Sequence, residues 1–75
     1  MTEETLDVIG LLCPLPVLKA RKRLRAMAPG AVLRVLASDP AAVVDIPHFC
    51  VESGHALLEM DDLPDGATAY IIRRS

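Results

Sequence analysis

The stretch LLCPLPVLK, residues 11–19, places a cysteine directly before a proline, with a second proline two positions on. Proline has a fixed φ and no backbone N–H, so a helix tolerates it in the first turn and not further inside. We therefore predict a helix that begins at Pro14, with Pro16 at its third position. A proline also pushes the preceding residue out of the helical region. Cys13 is accordingly expected in an extended, cap-like conformation at the helix N-terminus.

Apolar spacing predicts how far this helix continues. At about 100° per residue, one face carries a continuous apolar stripe. The Pro29-Gly30 pair then stops the helix, which we predict over residues 14–28. The stripe consists of Val17, Ala20, Leu24, Met27 and Ala28.

The remaining elements follow from alternation and from turn residues. Alternating or wholly apolar runs predict strands, which fall at residues 5–9, 31–37, 55–61 and 67–73. Asp39-Pro40 is a helix-start signal, an acidic N-cap followed by proline, and a second helix is predicted over residues 40–53. Pro47 leaves two alternatives, because the helix either kinks there or restarts with Asp45 as a new cap.

The element order is therefore β-α-β-α-β-β in a single domain that covers residues 1–75. Helices most simply cover one face of a four-stranded sheet. We predict an α+β two-layer sandwich, with a mixed sheet and both helices on one face. The strand at 31–37 is almost wholly apolar, which favours a central position in the sheet.

Composition argues against a secreted, a membrane-spanning or a disulfide-rich protein. The chain has 75 residues, 52% of them hydrophobic, and a formal net charge of −2. Its beginning, Met1-Thr2-Glu3-Glu4, lacks the basic and then apolar pattern of a secretory signal. No apolar run is long enough to span a membrane. Two cysteines do not make a disulfide scaffold, so we expect a cytoplasmic protein with reduced thiols.

Charge is distributed unevenly along the chain. The first helix carries five basic residues with no acid among them, namely Lys19, Arg21, Lys22, Arg23 and Arg25. Such a block indicates either a solvated helix face or a surface that binds a protein or an anion. Leu12, Leu15 and Leu18 could form an apolar docking rim around the reactive end, although a buried role for Leu18 fits equally well.

Cys13 is the candidate reactive residue. The partial positive charge of a helix N-terminus favours a thiolate, so a moderate lowering of the Cys13 pKa is expected. A dithiol redox enzyme would have a second cysteine where Pro16 stands. Cys50 is a distant resolving candidate, but its apolar neighbours favour a small buried hydrophobe.

Other chemistries find little support in the sequence. His48 and His55 could serve a cysteine hydrolase as bases, but no acyl-enzyme pattern and no substrate pocket are evident. Cys50 and His48 point to different helix faces, which argues against a zinc site. We expect no metal and no cofactor. A thiol that accepts sulfur and passes it on needs neither a base nor a deep pocket.

The sequence resembles the TusA/SirA-like sulfur-carrier family over nearly its whole length, from Leu6 to Arg73. The motifs that carry the resemblance are Leu6-Asp7, Gly10-Leu11, Cys13-Pro14-Leu15-Pro16, Arg21, Asp39-Pro40, Asp45-Ile46-Pro47 and Gly54-His55. The resemblance implies the same two-layer sandwich. It also implies that Cys13 carries the sulfur as a persulfide, with Pro14 and Pro16 supporting the motif.

The resemblance further implies two protein partners. A cysteine desulfurase or a rhodanese-like protein would supply the sulfur, and an acceptor protein would take it. The routes implied are tRNA thiolation, molybdenum cofactor assembly or sulfur oxidation, and the sequence does not choose among them. The protein would be a sulfurtransferase-type carrier rather than a stand-alone turnover enzyme.

A binding module without catalysis is the alternative function. It would use the basic helix to hold an acidic protein or a nucleic acid. The acidic net charge and the lack of aromatic stacking platforms argue against direct nucleic-acid binding. Asp39 and Asp45 are expected to cap helices, and His55 to have a local structural hydrogen bond.

Overall fold

The computed structural model describes residues 3–75. Met1 and Thr2, on which the expectation of no secretory signal partly rests, lie outside the described residues. Neither of the two helices found in residues 3–75 is long and apolar enough to cross a membrane. The elements are β1 (Glu3–Asp7), α1 (Leu15–Arg25), β2 (Val32–Ala37), α2 (Ala42–Ser53), β3 (Ala56–Asp62) and β4 (Thr68–Arg73).

The four strands form one mixed sheet in the order β1-β2-β4-β3. β1 pairs parallel with β2, and β4 pairs antiparallel with both β2 and β3. The parallel pair is connected through α1, as a crossover requires, whereas β3 and β4 need only a turn. The predicted element order and the two-layer sandwich are confirmed, and β2 has the central position expected of the most apolar strand.

The core lies between the sheet and the two helices. Leu33, Val35 and Ala37 of β2 are buried, whereas the residues between them are half-buried on the opposite face. This alternation follows from the two-residue period of a strand. Both helices therefore cover one face of the sheet, and buried Leu24 of α1 and Ile46 of α2 belong to the same apolar cluster.

Helix α1 is shorter than predicted at both ends. Its N-cap is Pro14, so the helix begins at Leu15 rather than at Pro14. At the other end, the N–H groups of Ala26 and Met27 donate to carbonyls three residues back, a tightened final turn. Met27 is still buried beneath that turn, but Ala28 is exposed, so its predicted place in the buried stripe is wrong.

Helix α2 is continuous through Pro47, so the alternative of a restart at Asp45 is wrong. Its N-cap is Ala41, not Asp39, and no side chain caps it directly. Gly54 ends the helix with a φ of 78°, a left-handed conformation that glycine adopts without a Cβ penalty. The buried face consists of Ala42, Ile46, Phe49 and Cys50.

The β3–β4 hairpin closes the fold at the far edge. Its turn includes an Asp65 carboxylate that accepts a 3.1 Å hydrogen bond from the Ala67 N–H. An irregularity between Leu57 and Glu59 shifts the pairing by one residue, as a bulge does on an edge strand. The turn and the irregularity both lie far from Cys13 in the sequence, towards the C-terminal end of the chain.

Candidate functional site

Cys13 lies in the loop between β1 and α1, one residue before the Pro14 N-cap, and it is exposed. The Cys13–Pro14 peptide bond is cis. Pro16 occupies the second helical position rather than the third, and its side chain is fully buried. Pro16 thus contributes to packing as well as to the helix start, a role that sequence reasoning missed.

The loop that carries Cys13 is tied to the segment before α2. The N–H of Gly10 donates to Ser38 Oγ at 2.9 Å, and the N–H of Cys13 donates to Asp39 Oδ2 at 2.7 Å. The second distance is short, as expected for an acceptor that bears a charge. These two bonds join residues more than 25 positions apart and fix the loop on the body of the protein.

Asp39 is the only polar residue among those described that is buried, with 8% of its surface exposed. While Oδ2 accepts from Cys13, Oδ1 accepts from the Ala41 N–H at 3.1 Å. Asp39 therefore supports the start of α2 from two residues before the N-cap, which corrects the prediction that it is the cap itself. The bond to Cys13 could not be read from the sequence, because it joins distant segments.

Asp45 lies in the first turn of α2, inside the helix, and the prediction that it caps a helix is wrong. It is half-buried and lies with Cys13 on the wall of a common groove. Two carboxylates from the beginning of α2 thus approach the Cys13 region.

The carboxylates reverse the expected electrostatics of the thiol. The pKa of Cys13 is raised, first by a hydrogen bond to the Asp45 side chain, then by lost hydration, and last by the charges of Asp45 and Asp39. The prediction of a lowered pKa is therefore wrong. A helix N-terminus acts only over its first turn, and two negative charges outweigh it here. The two carboxylates therefore disfavour the thiolate form of Cys13 in the free protein.

An open groove of about 450 Å³ runs from Cys13 along the contact between the two helices. Sequence reasoning had found no evidence of a pocket. The groove bears one basic side chain, Arg21, the imidazole of His48, and two acidic side chains, Asp45 and Glu52. Its lining comprises Cys13, Pro14, Val17, Arg21, Asp45, His48, Phe49, Glu52 and Ser53.

Neither histidine is placed as a base for Cys13. His48 Nε2 lies 3.3 Å from Glu52 Oε1 on an exposed rim of α2. His55 Nδ1 accepts a 3.1 Å hydrogen bond from the Ser75 N–H, and its ring lies 5.7 Å from the Phe49 ring. The local hydrogen bond predicted for His55 is thus present. A cysteine-hydrolase arrangement of thiol and imidazole is absent among residues 3–75.

Cys50 is a free thiol within the core, with 2% of its surface exposed. Burial raises its pKa, so it is neither accessible nor nucleophilic at neutral pH. The prediction that Cys50 is a small buried hydrophobe is confirmed. It is not bonded to Cys13 as a resolving cysteine would be, because Cys50 faces the core from α2 whereas Cys13 is exposed.

The surface around the thiol is both apolar and basic. Leu12 is 65% exposed, and Leu15 and Leu18 are each 44% exposed, so the alternative of a buried Leu18 is wrong. Four of the five basic residues of α1 are also exposed. The exception is Arg23, whose guanidinium lies 3.1 Å from Glu4 of β1. Arg21 shares the groove of Cys13, whereas Lys22 and Arg25 lie in the last turn of α1.

Comparison with known proteins agrees with this architecture. The family model described as "Sulfurtransferase TusA" matches residues 4–74. Two relatives from Neisseria meningitidis, of serogroups A and B, are each 47% identical over 73 residues, which is 97% of this chain and 97% of the relative. Both bear the name "Putative sulfur carrier protein".

A solved structure has the same fold. The crystal structure of a SirA-like protein from Desulfitobacterium hafniense superimposes with a TM-score of 0.85 at 25% sequence identity. The match covers 93% of this chain and 95% of the other. The two-layer arrangement of helices and sheet is thus shared over almost the whole of both proteins.

Proposed function

Because this chain belongs to the sulfurtransferase TusA family of sulfur carriers, we propose that Cys13 carries the sulfur, as a persulfide. The observation that supports this assignment is the placement of the two thiols. Cys13 is exposed at the mouth of a groove, whereas Cys50 is enclosed in the core. A group that must meet one protein and then another has to be accessible, and Cys13 alone meets that condition among the cysteines.

The loading step is an exchange between sulfur atoms. The Cys13 thiolate attacks the outer sulfur of a donor persulfide, and a new S–S bond forms at Cys13. The S–S bond of the donor breaks, and the donor leaves as a thiolate that takes up the proton lost by Cys13. The donor is left as a thiol and Cys13 bears the persulfide, so no external oxidant or reductant is consumed.

Delivery repeats the exchange in the other direction. A thiolate of the acceptor protein attacks the outer sulfur, and Cys13 leaves as a thiolate. We propose a cysteine desulfurase or a rhodanese-like protein as donor, in a route such as tRNA thiolation, molybdenum cofactor assembly or sulfur oxidation. The need for a free thiol favours a reducing compartment, the cytoplasm.

The apolar and basic surface beside the thiol supports docking of protein partners. Exposed leucines flank Cys13, and apolar side chains in such a cluster favour protein contact. The open groove offers no enclosed site for a small substrate, since its walls are the outer surfaces of two helices. The protein is therefore proposed as a relay component and not as a stand-alone turnover enzyme.

Persulfide loading tests the assignment directly. The protein is incubated with glutathione persulfide, and its intact mass is measured under non-reducing conditions. We expect a gain of one sulfur atom that Cys13→Ser abolishes and Cys50→Ser retains, with circular dichroism showing both variants folded. If Cys13→Ser still loads and Cys50→Ser does not, the assignment of the two cysteines is wrong.

A further inference from the structure

The two carboxylates beside Cys13 are unusual for the site of a nucleophilic thiol. Reactive cysteines ordinarily lie next to cationic groups, which favour the thiolate. Here Asp39 holds the Cys13 backbone at 2.7 Å, and Asp45 faces the thiol from the groove wall. The nearest described charges thus disfavour the reactive form in the free protein.

No cation neutralises this pair. In the part of the chain that the structure describes, Arg23 forms an ion pair with Glu4, and His48 Nε2 lies 3.3 Å from Glu52 Oε1. The groups that face the thiol region are Asp39 from the segment before α2, Asp45, His48 and Glu52 from α2, and Arg21 from α1. Arg21 is exposed in the groove, and His48 is engaged at its rim. Asp39 and Asp45 therefore lack an ionic partner within residues 3–75.

We propose that Asp39 and Asp45 form an electrostatic gate on Cys13, which a cationic side chain of the docked sulfur donor opens. Asp45 faces the thiol, and Asp39 is the positioning residue that holds the Cys13 loop against it. A lysine or arginine placed in the groove would neutralise the pair and favour the thiolate only while the donor is bound. This rests on the proposed function and specifies the chemistry of the donor surface.

Such a gate limits the reactions of the Cys13 thiol to the complex with the sulfur donor. A protonated thiol reacts slowly with oxidants and with small disulfides, because the thiolate is the reactive species. An exposed thiolate on a mobile carrier would be lost to such reactions between encounters. Activation on docking confines the nucleophile to the complex in which sulfur is transferred.

Two methanethiosulfonates that differ in charge test the gate without any sulfur loading. One carries a trimethylammonium-ethyl group and the other a sulfonatoethyl group. In each reaction the Cys13 thiolate attacks the sulfenyl sulfur, an S–S bond forms, and methanesulfinate leaves with the bonding electrons. The ratio of the two rates cancels the thiolate fraction and measures the local field at the thiol. The absolute rate with the anionic reagent also depends on the thiolate fraction, so Asp45→Asn should raise that rate if the carboxylate suppresses the thiolate.

The measurement is made in a Cys50→Ala background, so that one thiol reacts. Asp45→Asn should lower the ratio of the cationic to the anionic rate by about threefold or more, the order expected for one unit charge a few ångströms away in water. Asp45→Glu, which keeps the charge, should retain most of the ratio. Asp65→Asn is the control, because it removes one negative charge from the hairpin turn between β3 and β4, and it should leave the ratio unchanged.

Asp39→Asn provides a second variant, since it removes the other negative charge and keeps an acceptor oxygen for the Cys13 N–H. It should lower the ratio in the same direction, so the gate can be tested even if Asp45→Asn does not fold. An unchanged ratio in Asp45→Asn, or an equal fall in Asp65→Asn, overturns the proposal. If the charge dependence is as expected but glutathione persulfide does not load Cys13, the proposed function fails and the donor-opened gate fails with it, whereas the field of the carboxylates at the thiol is established.

A separate loading experiment tests whether the donor surface is cationic. Two synthetic peptides carry a cysteine persulfide and differ only in one flanking residue, arginine or glutamate. Loading of Cys13 should be faster from the arginine peptide, and Asp45→Asn should reduce that preference about threefold. Equal loading from both peptides would contradict a cationic donor surface, although it would leave sulfur transfer itself intact.

Discussion

Replacement of Asp39 by alanine tests the link between the reactive loop and the second helix. The substitution removes both hydrogen bonds that the carboxylate accepts, from Cys13 at 2.7 Å and from Ala41 at 3.1 Å. A hydrogen bond to a charged group contributes about 1.5–3 kcal/mol. A bond that supports a helix start contributes about 1 kcal/mol.

Water can replace part of the lost hydrogen bonding, because the Cys13 region is exposed. The loss of stability is therefore smaller than the sum of the two contributions. We therefore expect Asp39→Ala to lower the free energy of unfolding by about 2–3 kcal/mol. That is a large share of the roughly 4–11 kcal/mol typical of a chain of this length. The corresponding fall in melting temperature is on the order of 10 °C, because a small domain loses several degrees per kcal/mol.

Urea denaturation at pH 7 measures the effect. The midpoint should fall while the slope with urea stays unchanged, as expected when stability changes without a change in exposed surface. Asp39→Asn keeps one acceptor oxygen and should lie between alanine and the wild type. The same cost should appear in a Cys13→Ala background, because the bond is to the backbone N–H and not to the thiol.

Asp65→Ala is the control, since it removes one 3.1 Å bond from an exposed turn. We expect it to cost about 0.5 kcal/mol. A loss in Asp39→Ala below about 1 kcal/mol, or one equal to that of Asp65→Ala, would refute the view that Asp39 joins the two segments.

Three further predictions concern the core, the thiols and the basic helix. Leu24→Ala, at a site with 1% exposure, should cost about 3 kcal/mol in urea denaturation, whereas Leu12→Ala, 65% exposed, should change stability by less than about 0.5 kcal/mol; similar costs would contradict the described core. Burial raises the pKa of Cys50 and Tyr70, so the folded state binds these protons more tightly. Their stabilising contribution is complete below the pKa values of the unfolded chain and is lost as pH rises through the folded values. The free energy of unfolding should therefore fall at alkaline pH, and Cys50→Ala should reduce that fall; an unchanged slope would contradict a buried thiol. Lys22→Gln with Arg25→Gln, chosen because Arg23 is paired with Glu4, should leave loading by glutathione persulfide unchanged and slow transfer from a protein donor. Loss of both activities would instead favour a binding module that depends on these charges.

Local sequence determined most of the secondary structure. Prolines at positions 14 and 16 confine the first helix to a start beside Cys13, and the apolar run before Ala37 predicts a central strand. These inferences succeed because proline geometry and side-chain periodicity act within a few residues. The errors fall at the ends of the elements: Pro14 is a cap, the last turn of α1 tightens beyond Arg25, and β1 spans Glu3–Asp7 and not residues 5–9.

The electrostatic character of Cys13 was decided only by the tertiary structure. Sequence reasoning considered the helix that follows the cysteine and inferred a favoured thiolate. Packing of α2 against α1 instead brings Asp39 and Asp45 to the thiol from 26 and 32 positions away in the chain. Charge interactions depend on distance in space, so separation along the sequence could not reveal them. The sequence alone led to the proposal of Cys13 as the sulfur-carrying residue, and the fold decided which charged groups surround it.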